Sequence, residues 1–332
     1  MTPSELETHL SLLIDHSIKA SVMVWGPPGI GKSNIVASVA SERGLEFVDL
    51  RLSQLAPTDL RGLPVAEEGR SKWFPPEFLP TSGSGILFLD EINMAPPSMQ
   101  GVAQQLILDR RIGSYVVPEG WFVWAAGNRK EDRASVFDMP APLSNRFIHL
   151  FVEADLASFK QWALGQRVHE QVLALLSYRT ALLHNIDSKN PNWPSPRSWT
   201  IASELHSVGL DIESCVGAAP ATEFKAFVAL YDKMPDVAVI VSGKESPKFP
   251  EEPSMRYAMT LALVTRSQKA KEALHAMRYL ADHAPAEWLQ LFAADVFPML
   301  RKSGEIAEVA KAFRDDEKLR DFMKNFRELI QS

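Results

Sequence analysis

One short segment of the chain has the residue types and the spacing that bind a polyphosphate. Gly26, Gly31, Lys32 and Ser33 lie in the run GPPGIGKS, which satisfies G-x-x-x-x-G-K-[ST]. Glycines allow backbone N–H groups to approach phosphate oxygens, and the amino terminus of a following helix attracts their negative charge. The lysine reaches the outer phosphates, and the serine hydroxyl is a ligand for Mg²⁺. The predicted phosphate-binding residues are Gly26, Pro27, Pro28, Gly29, Ile30, Gly31, Lys32, Ser33 and Asn34.

A pair of carboxylates at the end of an apolar run is the second candidate. Asp90 and Glu91 directly follow the run ILFL. We predict that Asp90 holds Mg²⁺ together with Ser33, and that Glu91 orients or polarises the water that attacks the γ-phosphate. Hydrolysis of this bond depends mostly on positioning and on charge stabilisation. An acidic pair after a strand is by itself more often a solvated loop, but the phosphate-binding segment upstream favours the catalytic interpretation.

Asn128 is the third candidate, because it follows the apolar run at residues 121–126. In a parallel sheet the carboxyl ends of the strands meet at one edge, where ligands bind. We therefore expect Asn128 to lie beside Asp90 and Glu91 and to form a hydrogen bond with the γ-phosphate or the attacking water. The alternative is an asparagine in an ordinary turn.

Five short apolar runs predict the elements that position these residues. Each is bounded by glycine or proline and separated from the next by an amphipathic helical pattern, as is typical of buried parallel strands. The fold class is therefore α/β, with a five-stranded parallel sheet. The runs are residues 21–25, 46–50, 86–89, 121–126 and 147–151.

After about residue 153 the pattern is helical almost throughout. The proline-containing segment at residues 189–198 predicts a loop between helices, and residues 244–254 predict a polar connection. We expect a nucleotide-binding core at residues 1–152, a helical lid at residues 153–243 and a helical extension at residues 255–332.

Composition excludes several classes of protein. The formal net charge is −6 and the Lys and Arg residues are scattered, which disfavours a nucleic-acid partner. One cysteine, Cys215, cannot form an intrachain disulfide or a cysteine metal cluster, and the eight histidines show no paired metal-ligand spacing. Without an apolar run long enough for a membrane span, we expect a cytoplasmic protein.

Together these motifs resemble the AAA+ ATPases, and within them the MoxR-like branch with an inserted helix-2 hairpin, a dynein-related and CbbQ-like type. The resemblance covers about residues 6–205. The segments that carry it are GPPGIGKS, QLAPTDLRGLP, WFPPEFL, ILFLDEIN, AAGN, LSNRF and PSPRSW.

The resemblance implies roles that spacing alone does not indicate. Asn128 matches the sensor 1 residue, Arg146 the arginine finger that reaches the ATP of the neighbouring subunit, and Arg197 the sensor 2 arginine of the lid. With Glu91 they are the implied catalytic residues. A finger supplied by another subunit accelerates hydrolysis by about 10³- to 10⁵-fold. Without the resemblance, Arg146 and Arg197 would be interpreted as surface ion-pair residues.

Two further segments are predicted to form hairpins. Residues 60–73 match the inserted hairpin of this branch, and residues 113–118 lie before the strand that ends at Asn128. In the family such hairpins face the pore of a ring or a partner. Arg129, Lys130, Arg133 and Arg146 form a basic stretch, in which Arg129 or Arg133 faces either phosphate or, as a solvated loop, the solvent.

The implied function is a ring of identical subunits, expected to be a hexamer, that uses ATP and Mg²⁺ to remodel or activate a separate client protein. In this family clients include proteins with a von Willebrand factor A domain. The first alternative is a nucleic-acid motor or the motor subunit of a restriction system. The second is a P-loop kinase of small molecules.

Overall fold

The computed structural model describes residues 1–132, 136–166, 168–187, 190–231, 233–315 and 319. The chain divides into two compact units, Met1–Asp155 and Leu156–Ser332. The sequence placed the end of the core at residue 152, and the first unit ends at Asp155.

The first unit alternates strands with helices. Short 3₁₀ turns follow the second strand, at Leu52–Gln54, and the eighth, at Lys130–Asp132. The elements are α1 (Pro3–Asp15), β1 (Ser21–Trp25), α2 (Lys32–Glu42), β2 (Glu46–Arg51), α3 (Pro57–Arg61), β3 (Leu63–Glu67), β4 (Arg70–Phe74), β5 (Ser84–Asp90), α4 (Pro97–Asp109), β6 (Arg111–Ile112), β7 (Tyr115–Val116), β8 (Gly120–Gly127), α5 (Ala141–Ser144) and β9 (Phe147–Phe151).

The main sheet confirms the five predicted strands. Its order is β2-β5-β8-β1-β9, and every pairing is parallel. Alternate residues of each central strand point to opposite faces. Val22 and Val24 pack in one hydrophobic cluster with α1 and α2, whereas Met23 packs in the other cluster, which includes residues of α4. Both faces are covered at the central strands β1, β5 and β8, which are therefore apolar along most of their length.

Parallel pairing places the carboxyl ends of the strands at one edge. Trp25 at the end of β1 is level with Gly127 at the end of β8, and Leu89 of β5 is level with Ala125. The segments that follow β1, β5 and β8 therefore leave the sheet side by side. These are the three segments that the sequence singled out for chemistry.

Two hairpins flank this sheet, as predicted. β3 pairs with β4 through a turn in which Glu68 and Gly69 both have positive φ, the geometry of a type I′ turn. β6 pairs with β7 through Gly113, whose φ is +55°. At the base of the first hairpin a Cβ on Gly62 would lie 1.9 Å from the Phe74 carbonyl oxygen, so only glycine fits there.

Every regular element described in the second unit is helical, including a 3₁₀ turn at Thr180–Leu182. No helix among the described residues is long and apolar enough to cross a bilayer. The helices are α6 (Leu156–Leu164), α7 (Glu170–Tyr178), α8 (Pro196–Ser207), α9 (Glu213–Val216), α10 (Ala218–Tyr231), α11 (Val237–Val241), α12 (Pro253–Arg266), α13 (Ala270–His283), α14 (Ala286–Lys302) and α15 (Ile306–Asp315).

The loop predicted at residues 189–198 extends too far. Helix α8 already begins at Pro196, because proline at the first helical position has no N–H to lose and has a φ suited to the helix. Ser195 caps it by accepting a hydrogen bond from the Ser198 amide. Residues 188 and 189 lie outside the described part of the chain.

A half-buried carboxylate joins helices of the second unit. Glu170 of α7 accepts hydrogen bonds from Tyr231 at 2.6 Å, Thr265 at 2.8 Å and Arg266 at 3.0 Å. Burial alone would raise the pKa of Glu170, but these hydrogen bonds hold it below its usual value. The contacts join residues on both sides of the boundary expected at residues 244–254, and the division of this unit at that point stays a prediction.

Candidate nucleotide-binding site

The segment GPPGIGKS forms a loop between β1 and α2. Its glycines are required for different physical reasons. Gly29 and Gly31 have φ values of +83° and +94°, which side chains rarely adopt. A Cβ on Gly26 would lie 2.6 Å from the Val152 carbonyl oxygen. No side chain caps the amino terminus of α2, and its first turn holds no acidic residue. The loop therefore ends at a helix terminus that favours an anion.

Lys32 connects this loop to the end of β8. Its Nζ donates to the carbonyl oxygens of Gly26 at 2.8 Å and Pro27 at 3.1 Å, and to Asn128 Oδ1 at 2.9 Å. Two of the predicted site residues, 96 positions apart in the chain, are thus in direct contact. The ammonium group lies between the loop and the carboxyl edge of the sheet.

Ser33 and Asp90 are also brought together. Ser33 Oγ donates to Asp90 Oδ2 at 2.7 Å, which joins the first turn of α2 to the end of β5. Asp90 is buried, with 9% of its surface exposed. A hydroxyl and a carboxylate are oxygen ligands of the kind that Mg²⁺ binds. The two residues predicted to hold the metal therefore fit that ion.

Glu91 has a constrained backbone and a hydrogen-bonded side chain. Its φ is +55°, an uncommon value for a residue other than glycine, and its amide donates to Asp90 Oδ1 at 2.8 Å. Ser53 Oγ, in the 3₁₀ turn after β2, donates to Glu91 Oε2. Sequence reasoning missed Ser53, because nothing in the sequence shows that β2 lies beside β5.

The site is strongly acidic around these side chains. Partial desolvation, and then the charge of Asp90, raise the pKa of Asp49 on β2; Arg51 opposes this shift and Glu91 adds to it. Neighbouring carboxylates raise one another's pKa, because each disfavours the charged form of the others. The field at the ends of β2 and β5 therefore favours a bound cation.

Asn93 holds Asn128 in place. Asn93 Nδ2 donates to the Asn128 carbonyl at 2.7 Å, and the Asn128 amide donates to Asn93 Oδ1 at 3.2 Å. Both residues are buried. A Cβ on Gly127 would lie 2.4 Å from Asn93 Oδ1, so the close approach requires glycine. Sequence reasoning missed this role of Asn93, although its place two residues after Glu91 was a usable signal.

Arg129, in the basic stretch, forms ion pairs with Asp132 and Glu153. Its Nε and Nη2 each lie 2.9 Å from a carboxylate oxygen of Asp132, and its Nη1 lies 3.3 Å from Glu153. The hydrogen bonds to Asp132 are the main reason that the pKa of Arg129 is raised. These contacts favour a structural role over a phosphate-facing one. Arg133 lies outside the described residues.

Arg146 lies at the opposite edge of the sheet from its own phosphate-binding loop. It directly precedes Phe147, which pairs with Ser21 at the start of β1, whereas the loop begins after Trp25 at the other end. At the rise of a β-strand this separation along β1 is about 16 Å. The Arg146 side chain is exposed, and no ion pair joins it to the residues that the structure describes.

Arg197 lies in the second unit, as the second residue of α8, and is exposed. The first turn of α8 holds no acidic residue. A positive charge at a helix amino terminus is unfavourable, because the helix dipole places partial positive charge there. The stability of α8 therefore does not explain why an arginine occupies this position.

Residues of the first unit are similar to a known protein family. Residues 21–147 match the family model described as AAA domain (dynein-related subfamily). Midasin of Giardia intestinalis is 24% identical over 166 residues, which cover 47% of this chain and 3% of midasin. Midasin of Dictyostelium discoideum is 29% identical over 149 residues, which cover 40% of this chain and 2% of midasin. The matched part is therefore a small share of either relative.

Solved structures match this chain at low similarity. NtrX from Brucella abortus with ADP is 15% identical, with a TM-score of 0.42 over 94% of this chain and 67% of that chain. A mutant of RuvB from Thermotoga maritima is 16% identical, with a TM-score of 0.42 over 79% and 83% of the two chains. TM-scores this low carry no argument about function. Residues 21–147 thus match the dynein-related subfamily of AAA domains, in agreement with the AAA+ resemblance found in the sequence.

Proposed function

We propose that the protein is a Mg²⁺-dependent, MoxR-like ATPase that works as a ring. One observation carries the proposal: two independent contacts close the same site. Ser33 Oγ lies 2.7 Å from Asp90, and Lys32 Nζ lies 2.9 Å from Asn128. The loop after β1 and the ends of β5 and β8 thus converge on one point, as a bound triphosphate requires.

Each side chain has a role that follows from its position. The loop amides and the amino terminus of α2 bind the phosphates, and Lys32 exchanges its carbonyl contacts for the outer phosphate oxygens. Ser33 and Asp90 would hold Mg²⁺, which would neutralise phosphate charge. Glu91 orients the attacking water, and Asn128 donates to the γ-phosphate or to that water.

Hydrolysis in this proposal needs a second subunit. Arg146 is about 16 Å along β1 from the loop of its own chain, and is exposed. It therefore serves the γ-phosphate of the neighbouring subunit in the ring. Arg197, placed at a helix terminus that does not favour it, supplies a second guanidinium from the helical lid.

We propose a hexameric, cytoplasmic ring that remodels or activates a separate client, with proteins carrying a von Willebrand factor A domain as the candidate class. The exposed apolar residues of the two hairpins, Leu63, Phe74 and Val116, support a surface that contacts another protein. The net charge of −6 supports a protein client over a nucleic acid.

Client capture with a trapped ring tests this function. The Glu91→Gln variant is expected to bind ATP and retain its client, whereas Lys32→Ala, the matched control, retains neither. Proteins enriched by the first variant over the second are identified by mass spectrometry. ATP turnover that rises with added DNA and falls steeply with salt would instead support a nucleic-acid motor.

A further inference from the structure

Trp25, the residue directly before the phosphate-binding loop, is bonded to strand β9. Its Nε1 donates to His149 Nδ1 at 2.8 Å, and the two rings lie side by side and nearly parallel, with centroids 6.0 Å apart and an interplanar angle of 13°. Because Nδ1 accepts this hydrogen bond, the neutral imidazole carries its proton on Nε2. The tautomer of His149 is therefore fixed by Trp25.

The other nitrogen of His149 contacts the turn that leads to Arg146. His149 Nε2 lies 2.8 Å from the carbonyl oxygen of Ser144, the last residue of α5. The last carbonyl groups of a helix have no partner within the helix, and the imidazole N–H supplies one here. The Arg146 amide donates to the Leu143 carbonyl at 3.1 Å. The turn before Arg146 is thus held by α5 on one side and by His149 on the other.

These contacts cross one face of the β1–β9 pair from edge to edge. Trp25 lies at the phosphate edge, and the α5 turn lies at the edge where Arg146 emerges. The ring centroids of Phe147 and His149 are 6.1 Å apart, and those of Phe151 and Trp25 are 6.4 Å apart. Aromatic side chains therefore form a continuous row between the two edges. His149, in the middle of this row, is hydrogen-bonded to Trp25 at the phosphate edge and to the Ser144 carbonyl at the other edge.

We propose that Trp25 and His149 form a relay that sets the position of Arg146 according to the state of the phosphate-binding loop in the same subunit. His149 is a positioning residue: it touches no phosphate and acts through the Ser144 carbonyl. A displacement of Trp25 with the loop moves the imidazole and thereby the turn that carries Arg146. The relay rests on the proposed function, because Arg146 acts there on the next subunit of the ring.

Mixed rings test the relay. A donor subunit, Glu91→Gln, keeps its arginine but cannot hydrolyse ATP. An acceptor subunit, Arg146→Ala, keeps an intact site but offers no arginine. Phosphate release from the mixture is expected to exceed that of either variant alone. A mixture with no gain overturns the finger assigned to Arg146 and, with it, the relay.

His149→Phe is then added to one partner at a time. It keeps a ring between Trp25 and Phe147 but removes both hydrogen bonds. In the donor we expect turnover to fall by about 10- to 100-fold, as for a catalytic group displaced by about 1 Å. In the acceptor we expect turnover within about twofold of the unmodified mixture, with unchanged affinity for a fluorescent ATP analogue. Equal loss in both partners, or no loss in either, overturns the relay and leaves the trans action of Arg146 standing.

Two more variants guard against a folding defect. Trp25→Phe in the donor keeps an aromatic ring and removes the N–H donor. We expect it to lower turnover, but by less than His149→Phe does. Phe151→Leu is the matched control, because Phe151 stacks on Trp25 but has no bond to α5. A donor with Trp25→Phe that keeps full turnover, or a Phe151→Leu donor as poor as His149→Phe, contradicts the relay.

Discussion

Replacing Asn93 by alanine removes both hydrogen bonds that hold the backbone of Asn128 at the end of β8. The Asn128 amide and carbonyl, with partners at 3.2 and 2.7 Å, would each be left buried and unpaired. Each such group costs about 1–3 kcal/mol, so the full loss is about 2–6 kcal/mol. Since the deletion opens a polar space that one water molecule can enter, we expect the lower half of that range.

Urea unfolding and amide exchange measure this effect. Asn93→Ala should lower the unfolding midpoint and speed exchange of the Asn128 amide, while Asn145→Ala, at an exposed position, should change stability by no more than about 0.5 kcal/mol. Asn93→Asp keeps the acceptor for the Asn128 amide but places a carboxyl near Asp90 and Glu91. Its folded pKa is raised, so its stability should recover as pH falls, which alanine cannot do.

Asn93→Ala with an unchanged midpoint and unchanged exchange at Asn128 would show that the two hydrogen bonds do not hold this residue. Turnover gives an independent readout, because a displaced Asn128 should lower the rate of hydrolysis while the affinity for ATP stays the same.

Three further predictions concern the nucleotide site and the second unit. Lys32→Ala should abolish binding of a fluorescent ATP analogue, and Glu91→Gln should bind it with little phosphate release; full turnover in the second variant would remove Glu91 from its role. Arg146→Ala should lower turnover by about 10³-fold without weakening ATP binding, and a rate per subunit that survives dilution to monomers would contradict a finger in trans. Glu170→Gln should destabilise the protein at pH 7; since the folded pKa of Glu170 is lowered, the wild-type advantage should shrink as pH falls through that pKa, and a gap constant down to acidic pH would refute the assignment.

The sequence predicted the sheet and the central part of the site because both follow local rules. Buried parallel strands are continuous apolar runs, and GPPGIGKS is a motif of consecutive residues that can be recognised without tertiary structure. The start of α8 was misplaced, because three prolines indicate a loop although Pro196 is also a favourable first residue of a helix.

The partners of the site residues could not be predicted in the same way. Ser53 is 38 positions from Glu91, and Asn93 is 35 positions from Asn128. Each pair meets only because the strand order places β2 beside β5 and β5 beside β8. Local pattern gives the strands but not their order, so these contacts required the tertiary structure.

Under the proposed function, strand order also explains why the arginine finger comes from a second copy of the chain. Parallel strands deliver Lys32, Asp90 and Asn128 to one edge, but the same geometry sends any residue just before a strand to the other edge. Arg146, immediately before β9, is therefore separated from the phosphate-binding loop of its own chain by the length of β1. A cationic group at that position can complete a phosphate site only in a neighbouring chain. The proposed relay through His149 links the two edges, and through it the loop of one subunit would affect the rate of hydrolysis in the neighbouring subunit.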